Sequence, residues 1–278
     1  MPNRPERRPE LRPFPAGRRI VTGAIRAGRP MALMHGLIDV DITVALRRIR
    51  AWDPPLSVAA YVVACVAHAA AMHPDVHVYR NWRGRVVLTP NVDVAILVER
   101  QTSDGPVPVG HVIRGADTRS VEDVSKEIRS VQVEPSRDIG DRRLDQFSAV
   151  ARVPGMAALF FRLARRSVRM HAISGTVAVS ALGALGGGSG HGIGVPTVLS
   201  LNVTVGGMSR RPRVVDGEIR PRDVLDLTIS ADHNVVDGAP AARFAASLRE
   251  LMESAELLPN ADPAADARTD AAGLKEES

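Results

Sequence analysis

The sequence predicts a two-layer α/β (α+β) sandwich, a sheet covered by helices. Strand-like and helix-like segments interleave along the chain, and 45% of its 278 residues are apolar, an ordinary share for a globular core. Disorder, collagen and coiled coil are excluded as the main architecture. The longest apolar runs, near Ala59–Ala71 and Met156–Leu163, fall short of the ~20 residues that a membrane helix needs. The arginines and prolines at the start have no apolar stretch behind them, so no secretory signal is read. A single cysteine, Cys65, excludes an intrachain disulfide framework and leads to the expectation of a reducing, cytoplasmic location.

The elements follow in order. Residues 1–18 repeat proline and arginine without an apolar period and read as a flexible arm. Leu37–Thr43 alternates as a strand with Ile38, Val40 and Ile42 on one face, and Val44–Arg50 reads as a short helix. Ser57 caps an alanine-rich helix that Pro74 stops. Arg85–Leu88, Val92–Val98 and Val107–Ile113 read as strands, and Ser120 caps a helix through Val131 with Glu122 and Asp123 at its positive end. Gly155–Met170 is a basic amphipathic helix, with Leu159, Leu163 and Ala164 on one side and Arg162, Arg165, Arg166 and Arg169 on the other. Strands at Gly175–Leu182, Thr197–Val205 and Val224–Ser230 precede a last helix, Ala239–Ser254, and 255–278 reads as a polar tail. One domain, 19–254, lies between arm and tail.

The net charge is +5, and Lys126 and Lys275 are the only lysines. Arginine grips phosphate in a bidentate fork, so the composition alone admits nucleic acid or a phosphate-bearing cofactor. With 3% aromatic residues there are few stacking platforms for single strands, and nucleic acid is set aside.

The densest chemical signal is Leu227-Thr-Ile-Ser-Ala-Asp232-His233-Asn-Val-Val-Asp237-Gly238. An alternating strand delivers Asp232 and His233 into a turn, and Asp237-Gly238 opens the last helix. A histidine there suits general-base work, since an unperturbed imidazole with pKa ~6.5 is mostly neutral at pH 7. Packing or helix capping is the alternative. His73 and His77 are four apart, but Pro74 breaks the helix that would align them, so no metal site is expected. Cys65 reads as core. The glycine-rich 183–194 lacks the Gly-Lys-Ser/Thr ending of a phosphate loop and reads as a loop along a substrate channel.

His233-Asn-Val-Val-Asp237-Gly238 resembles the His-x-x-x-Asp-Gly signature of the dihydrolipoamide acyltransferases and chloramphenicol acetyltransferases, and the flanking residues are closer to the former. Gly175-Thr-Val-Ala-Val-Ser180-Ala-Leu-Gly183 is similar to that family's serine strand and turn, and Gly206-Gly207 with Val214–Gly217 to the segment joining the two motifs. Met34-His35 with Asp41-Ile-Thr, and Val109–Asp117, are similar to the family's upstream motifs. The resemblance runs in the same order from about Arg19 to Ser254.

It implies a chloramphenicol acetyltransferase-like fold with a mixed sheet, assembled as a homotrimer. His233 would be the general base toward the thiol of coenzyme A or dihydrolipoamide. Ser180 would steady the oxyanion, and Asp237 would hold the histidine loop in shape. In the family, serine and histidine meet across subunits. Coenzyme A is the implied substrate, and the lipoyl group would come on a separate carrier protein, since no lipoyl or docking segment is read in this sequence. Asn234 stands where the family usually has arginine, so an ion pair near the loop is expected to be missing. The polar tail leads to the expectation that assembly stops at the trimer. Two other readings remain open: acylation of a small-molecule hydroxyl or amine, and a non-catalytic trimeric scaffold.

Overall fold

A computed structural model describes residues 11, 16–102, 105–133, 153, 155–181, 188–195 and 197–259. Helix α1 (Ala16–Gly28) leads into strand β1 (Leu33–Asp41), followed by α2 (Thr43–Ala51) and α3 (Val58–Met72). The short strands β2 (Tyr79–Arg80) and β3 (Val86–Val87) form a separate ribbon before β4 (Val94–Thr102), β5 (Gly105–Ile113) and α4 (Val121–Val133). Then come α5 (Met156–Ala164), α6 (Val168–Ser174), β6 (Val177–Ala181), β7 (Leu201–Val215), β8 (Glu218–Asp232) and α7 (Gly238–Ser254).

The main sheet has six strands in the order β1-β8-β7-β6-β4-β5. β6 runs parallel to both its neighbours and the other pairs are antiparallel, so the sheet is mixed. One face is apolar: Val40, Val177, Val179, Leu201, Val203, Leu227 and Ile229 belong to the core with α2, α3, α4 and α7. The alternation read in Ile38, Val40 and Ile42 is therefore the core-facing side of β1. Helix α3 sits in the middle of this layer. Ser57 Oγ accepts from the Ala60 N–H, His73 closes the far end before Pro74, and ten of fifteen residues are buried. Its small alanines let neighbours approach from all sides, and Tyr61 Oη donates to the Met252 carbonyl at the end of α7 (2.8 Å).

The opposite face of the same strands is polar. The register sets Ser180, Thr204 and Thr228 in one row, and Asn202, Ser230 and His35 in the next. His35 Nδ1 lies 2.8 Å from Ser230 Oγ.

Three differences from the sequence reading have physical reasons. Ala16–Gly28 is a helix, although 16–18 were read as part of the arm and no element was read after them; it packs against α5, where Ala157 and Ala164 are buried and Gly23 leaves room for Ala157, while Leu159 and Leu163 stay exposed. The basic segment is two helices, broken by the turn at Arg165–Ser167. β7 and β8 are fifteen residues each, much longer than read, because arginines and the facing prolines Pro212 and Pro221 hide the strand pattern. The turn between them uses positive φ at Asp216 (53°) and Gly217 (81°).

Candidate active site

The end of β8 carries the histidine loop, and long-range contacts hold its shape. Asp232 is buried, and its Oδ1 accepts from three N–H donors: Ala32 N (3.2 Å), Asn234 N (3.1 Å) and Asn234 Nδ2 (2.7 Å). The His233 N–H donates to the Ala32 carbonyl (2.7 Å), and Asn234 Nδ2 also reaches the Pro30 carbonyl (3.1 Å). The turn is thereby fastened to the lead-in of β1. The amide of Asn234 thus hydrogen-bonds the Asp232 carboxylate without forming an ion pair with it.

The His233 side chain is 53% exposed, with Nδ1 3.9 Å from Asp237 Oδ1, a separation beyond hydrogen bonding. Asp237 caps α7 by position, with its side chain 88% exposed and making no capping bond. Within the chain the loop's shape comes from Asp232, one of the acidic groups flanking the histidine, and from Asn234, whose part in it was not read from the sequence. The signal available was only their place beside His233.

Ser180 lies on β6 in the polar face, its Oγ 3.5 Å from Asn202 Oδ1. The chain does not bring it to His233. Ser180 is level with Thr204 and Thr228, and His233 follows Thr228 by five residues, two strands away. That places the two about 16 Å apart along the strands and about 10 Å across them. No reacting atom can touch both within one protomer.

Part of the glycine-rich segment lies pinned on the sheet; residues 182–187 are outside the described residues. Gly190 N donates to Asp226 Oδ2 (2.6 Å), and Gly207 N donates to the Gly190 carbonyl (2.8 Å). β7 bulges at Gly206-Gly207, where a Cβ would collide with the carbonyls of Gly190 and Gly188. Glycine is required there by the close approach of backbone to backbone.

Among the described residues, Asp39, His191 and Asp226 place ligand atoms within 4.8 Å of one another, the spacing of a metal group. Arg211 donates to Asp226 (2.5 Å) and lies 3.4 Å from Asp39, and Arg213 lies 3.2 Å from Asp39. Two guanidinium groups already balance two carboxylates, so the cluster works as an ion-pair tie between β1, β7, β8 and residues 188–195. Burial opposes ionisation of Asp226, but the hydrogen bonds from Arg211 and Gly190 outweigh it and hold its carboxyl below the usual range. His73 bonds Ser247, whereas buried His77 faces Thr89. Burial pushes the Cys65 thiol up to about 12.

Residues 156–259 match the family described as 2-oxoacid dehydrogenases acyltransferase (catalytic domain). A lipoamide acyltransferase component of the branched-chain α-keto acid dehydrogenase complex of Pseudomonas putida is 41% identical over 28% of this chain and 18% of that protein. A dihydrolipoyllysine-residue acetyltransferase component of the pyruvate dehydrogenase complex of Mycoplasma pneumoniae is 28% identical over 73% of this chain and 42% of that protein. The chain thus spans less than half the length of either relative. Azotobacter vinelandii dihydrolipoamide acetyltransferase has the same fold, with a TM-score of 0.65 at 21% identity over 93% of this chain and 99% of that one. A chloramphenicol acetyltransferase aligns at a TM-score of 0.50 and 14% identity, over 86% of this chain and 96% of that one. The C-terminal part, 156–259, is thus similar in sequence to the 2-oxoacid dehydrogenase acyltransferase catalytic domain, and the fold over nearly all of the chain is that of these acyltransferase cores and of chloramphenicol acetyltransferase.

Proposed function

We propose that the protein is a coenzyme A-dependent acyltransferase that moves an acyl group between a dihydrolipoyl carrier supplied in trans and coenzyme A, working as a homotrimer in the cytoplasm. The observation that supports this reading is that Ser180 and His233, the two residues similar to the family's pair, are each presented by a fixed element but lie too far apart to meet within one chain, so a second copy would complete the pair. The mechanism of the Azotobacter vinelandii enzyme has been studied at a serine, a histidine and an asparagine four residues after the histidine. Asp237 stands four residues after His233 here.

In the proposed reaction the His233 imidazole takes the proton of the attacking thiol, which with a pKa of ~8.5 is only slightly ionised at neutral pH. The thiolate adds to the thioester carbonyl, and the hydroxyl of Ser180 from a neighbouring copy donates to the tetrahedral oxyanion, a contact typically worth ~10²–10³ in rate. Collapse expels the other thiolate, which recovers the proton from the imidazolium. Asp237 acts as a positioning residue, facing the imidazole as it becomes charged.

The test is acyl transfer from acetyl-, succinyl- and isobutyryl-coenzyme A to dihydrolipoamide and to a lipoylated carrier domain. Transfer that His233→Ala abolishes supports the reading. A folded trimer that binds coenzyme A yet acylates neither acceptor, but does acylate small hydroxyls or amines, overturns the lipoyl assignment.

A further inference from the structure

Beside the histidine loop lies a cavity of about 210 Å³ that the acyl-transfer reading leaves unused. Asp232 and Asn234 contribute to its wall, together with Tyr79 and Arg80 from β2 and Arg165 and Arg166 from the turn after α5. His233 itself is not part of that wall.

The lining carries surplus positive charge. Asp232 is its only acidic residue, against three arginines. Among the described residues, none of the three is ion-paired to a carboxylate. Arg165 Nη1 is 3.4 Å from the Ala27 carbonyl, and the Arg166 guanidinium lies 5.9 Å over the Trp82 ring. Burial holds the Arg165 guanidinium below its usual pKa and crowding by Arg166 and Arg162 adds to this, with Asp232 pulling the other way. Tyr79 is 5% exposed and stacks on His171 at 3.6 Å, and its hydroxyl is buried without a hydrogen-bond partner. A buried donor left without an acceptor is uncommon unless a ligand or water supplies one.

We propose that this cavity binds a phosphate monoester dianion. Three guanidinium charges less one carboxylate leave two positive charges, which matches a phosphate ester at about −1.5 to −2 and exceeds what one carboxylate would neutralise. Guanidinium forks fit phosphate oxygens in pairs, and the Tyr79 hydroxyl supplies a further donor. Two sources share this chemistry: the 3′-phosphate of coenzyme A, which rests on the acyltransferase reading, and a free phosphorylated metabolite, which does not.

Calorimetric titration of the whole protein with inorganic phosphate at low ionic strength tests the site. Saturable binding of one phosphate per chain is expected, weakened about tenfold in Arg80→Gln and in Arg166→Gln. Both side chains are exposed, so neither change threatens folding, and Tyr79→Phe, which keeps the stack on His171, also weakens binding. Competition by coenzyme A but not by dephospho-coenzyme A assigns the site to the coenzyme's 3′-phosphate, and resistance to both assigns it to a free phosphorylated ligand. No saturable binding, or binding unchanged in all three variants, overturns the proposal. His233→Ala separates the two readings, because it abolishes transfer while leaving phosphate binding intact.

Discussion

Asp232 does more to shape the histidine loop than any acid within the His-x-x-x-Asp-Gly motif. Three N–H donors converge on one of its oxygens, and two of them belong to Asn234. Asp232→Ala removes three part-buried hydrogen bonds whose donors can partly turn to water, so unfolding should become easier by about 1 kcal/mol, read from the urea midpoint. Asp237→Ala should leave that midpoint nearly unchanged while lowering kcat, since its side chain is exposed and unbonded. A large loss of stability in Asp237→Ala with none in Asp232→Ala would reverse these roles. His233 and Ser180 were legible as residues, because each sits in a short contiguous pattern. The clamp was not, because Ala32 and Pro30 stand about two hundred positions away in the chain.

At the scale of elements, the strap at 188–195 and the bulge at Gly206-Gly207 form one unit. Gly207→Ala should force the strap off the sheet and release Asp226 from the Gly190 N–H, raising protease sensitivity of the strap while the core helices stay intact. Limited proteolysis followed by mass spectrometry reads this directly. In α3, the lone thiol is enclosed on all sides, and a native sample should not react with a thiol reagent until denatured. Helix α3 was legible from its cap, its alanines and its terminating proline. Helix α1 was not, because its arginines and glycines make a stripe that only the facing α5 turns into a helix. The long β7–β8 hairpin escaped for a related reason. Its outer half is held by ladder pairing and by carboxylates such as Asp41, which receives Arg222 Nε at 2.6 Å, and not by apolar alternation.

For the whole molecule, the split of Ser180 from His233 makes a sharp prediction. The protein should elute at three times the 29.8 kDa of one chain. Ser180→Ala and His233→Ala, each with little or no activity alone, should regain roughly a quarter of the wild-type sites when unfolded together and reassembled, because some neighbours then pair an intact serine with an intact histidine. Mixing without recovery would place both residues in one chain's site. Acid should destabilise the fold in two stages. Burial holds His77 and His171 below the usual histidine value, so the unfolded chain binds their protons first and stability begins to fall below pH ~6.5. For Asp41, Asp226 and Glu127, burial opposes ionisation, but hydrogen bonds and partner charges lower the pKa overall. Their contribution is complete above the unfolded carboxylate value of ~4 and disappears as pH drops through the lower native values. A urea midpoint that stays flat from pH 7 to 5 would contradict the first stage.

The mooring of the histidine turn to Pro30 and Ala32 joins the end of β8 to the short stretch between α1 and β1. A displacement of residues 29–32 is therefore transmitted to the backbone of the histidine turn as well as to the edge strand of the sheet. A single proteolytic nick at Arg29 or Pro30 would free the Pro30 carbonyl from Asn234 while Ala32, still carried by β1, kept its two bonds to the turn.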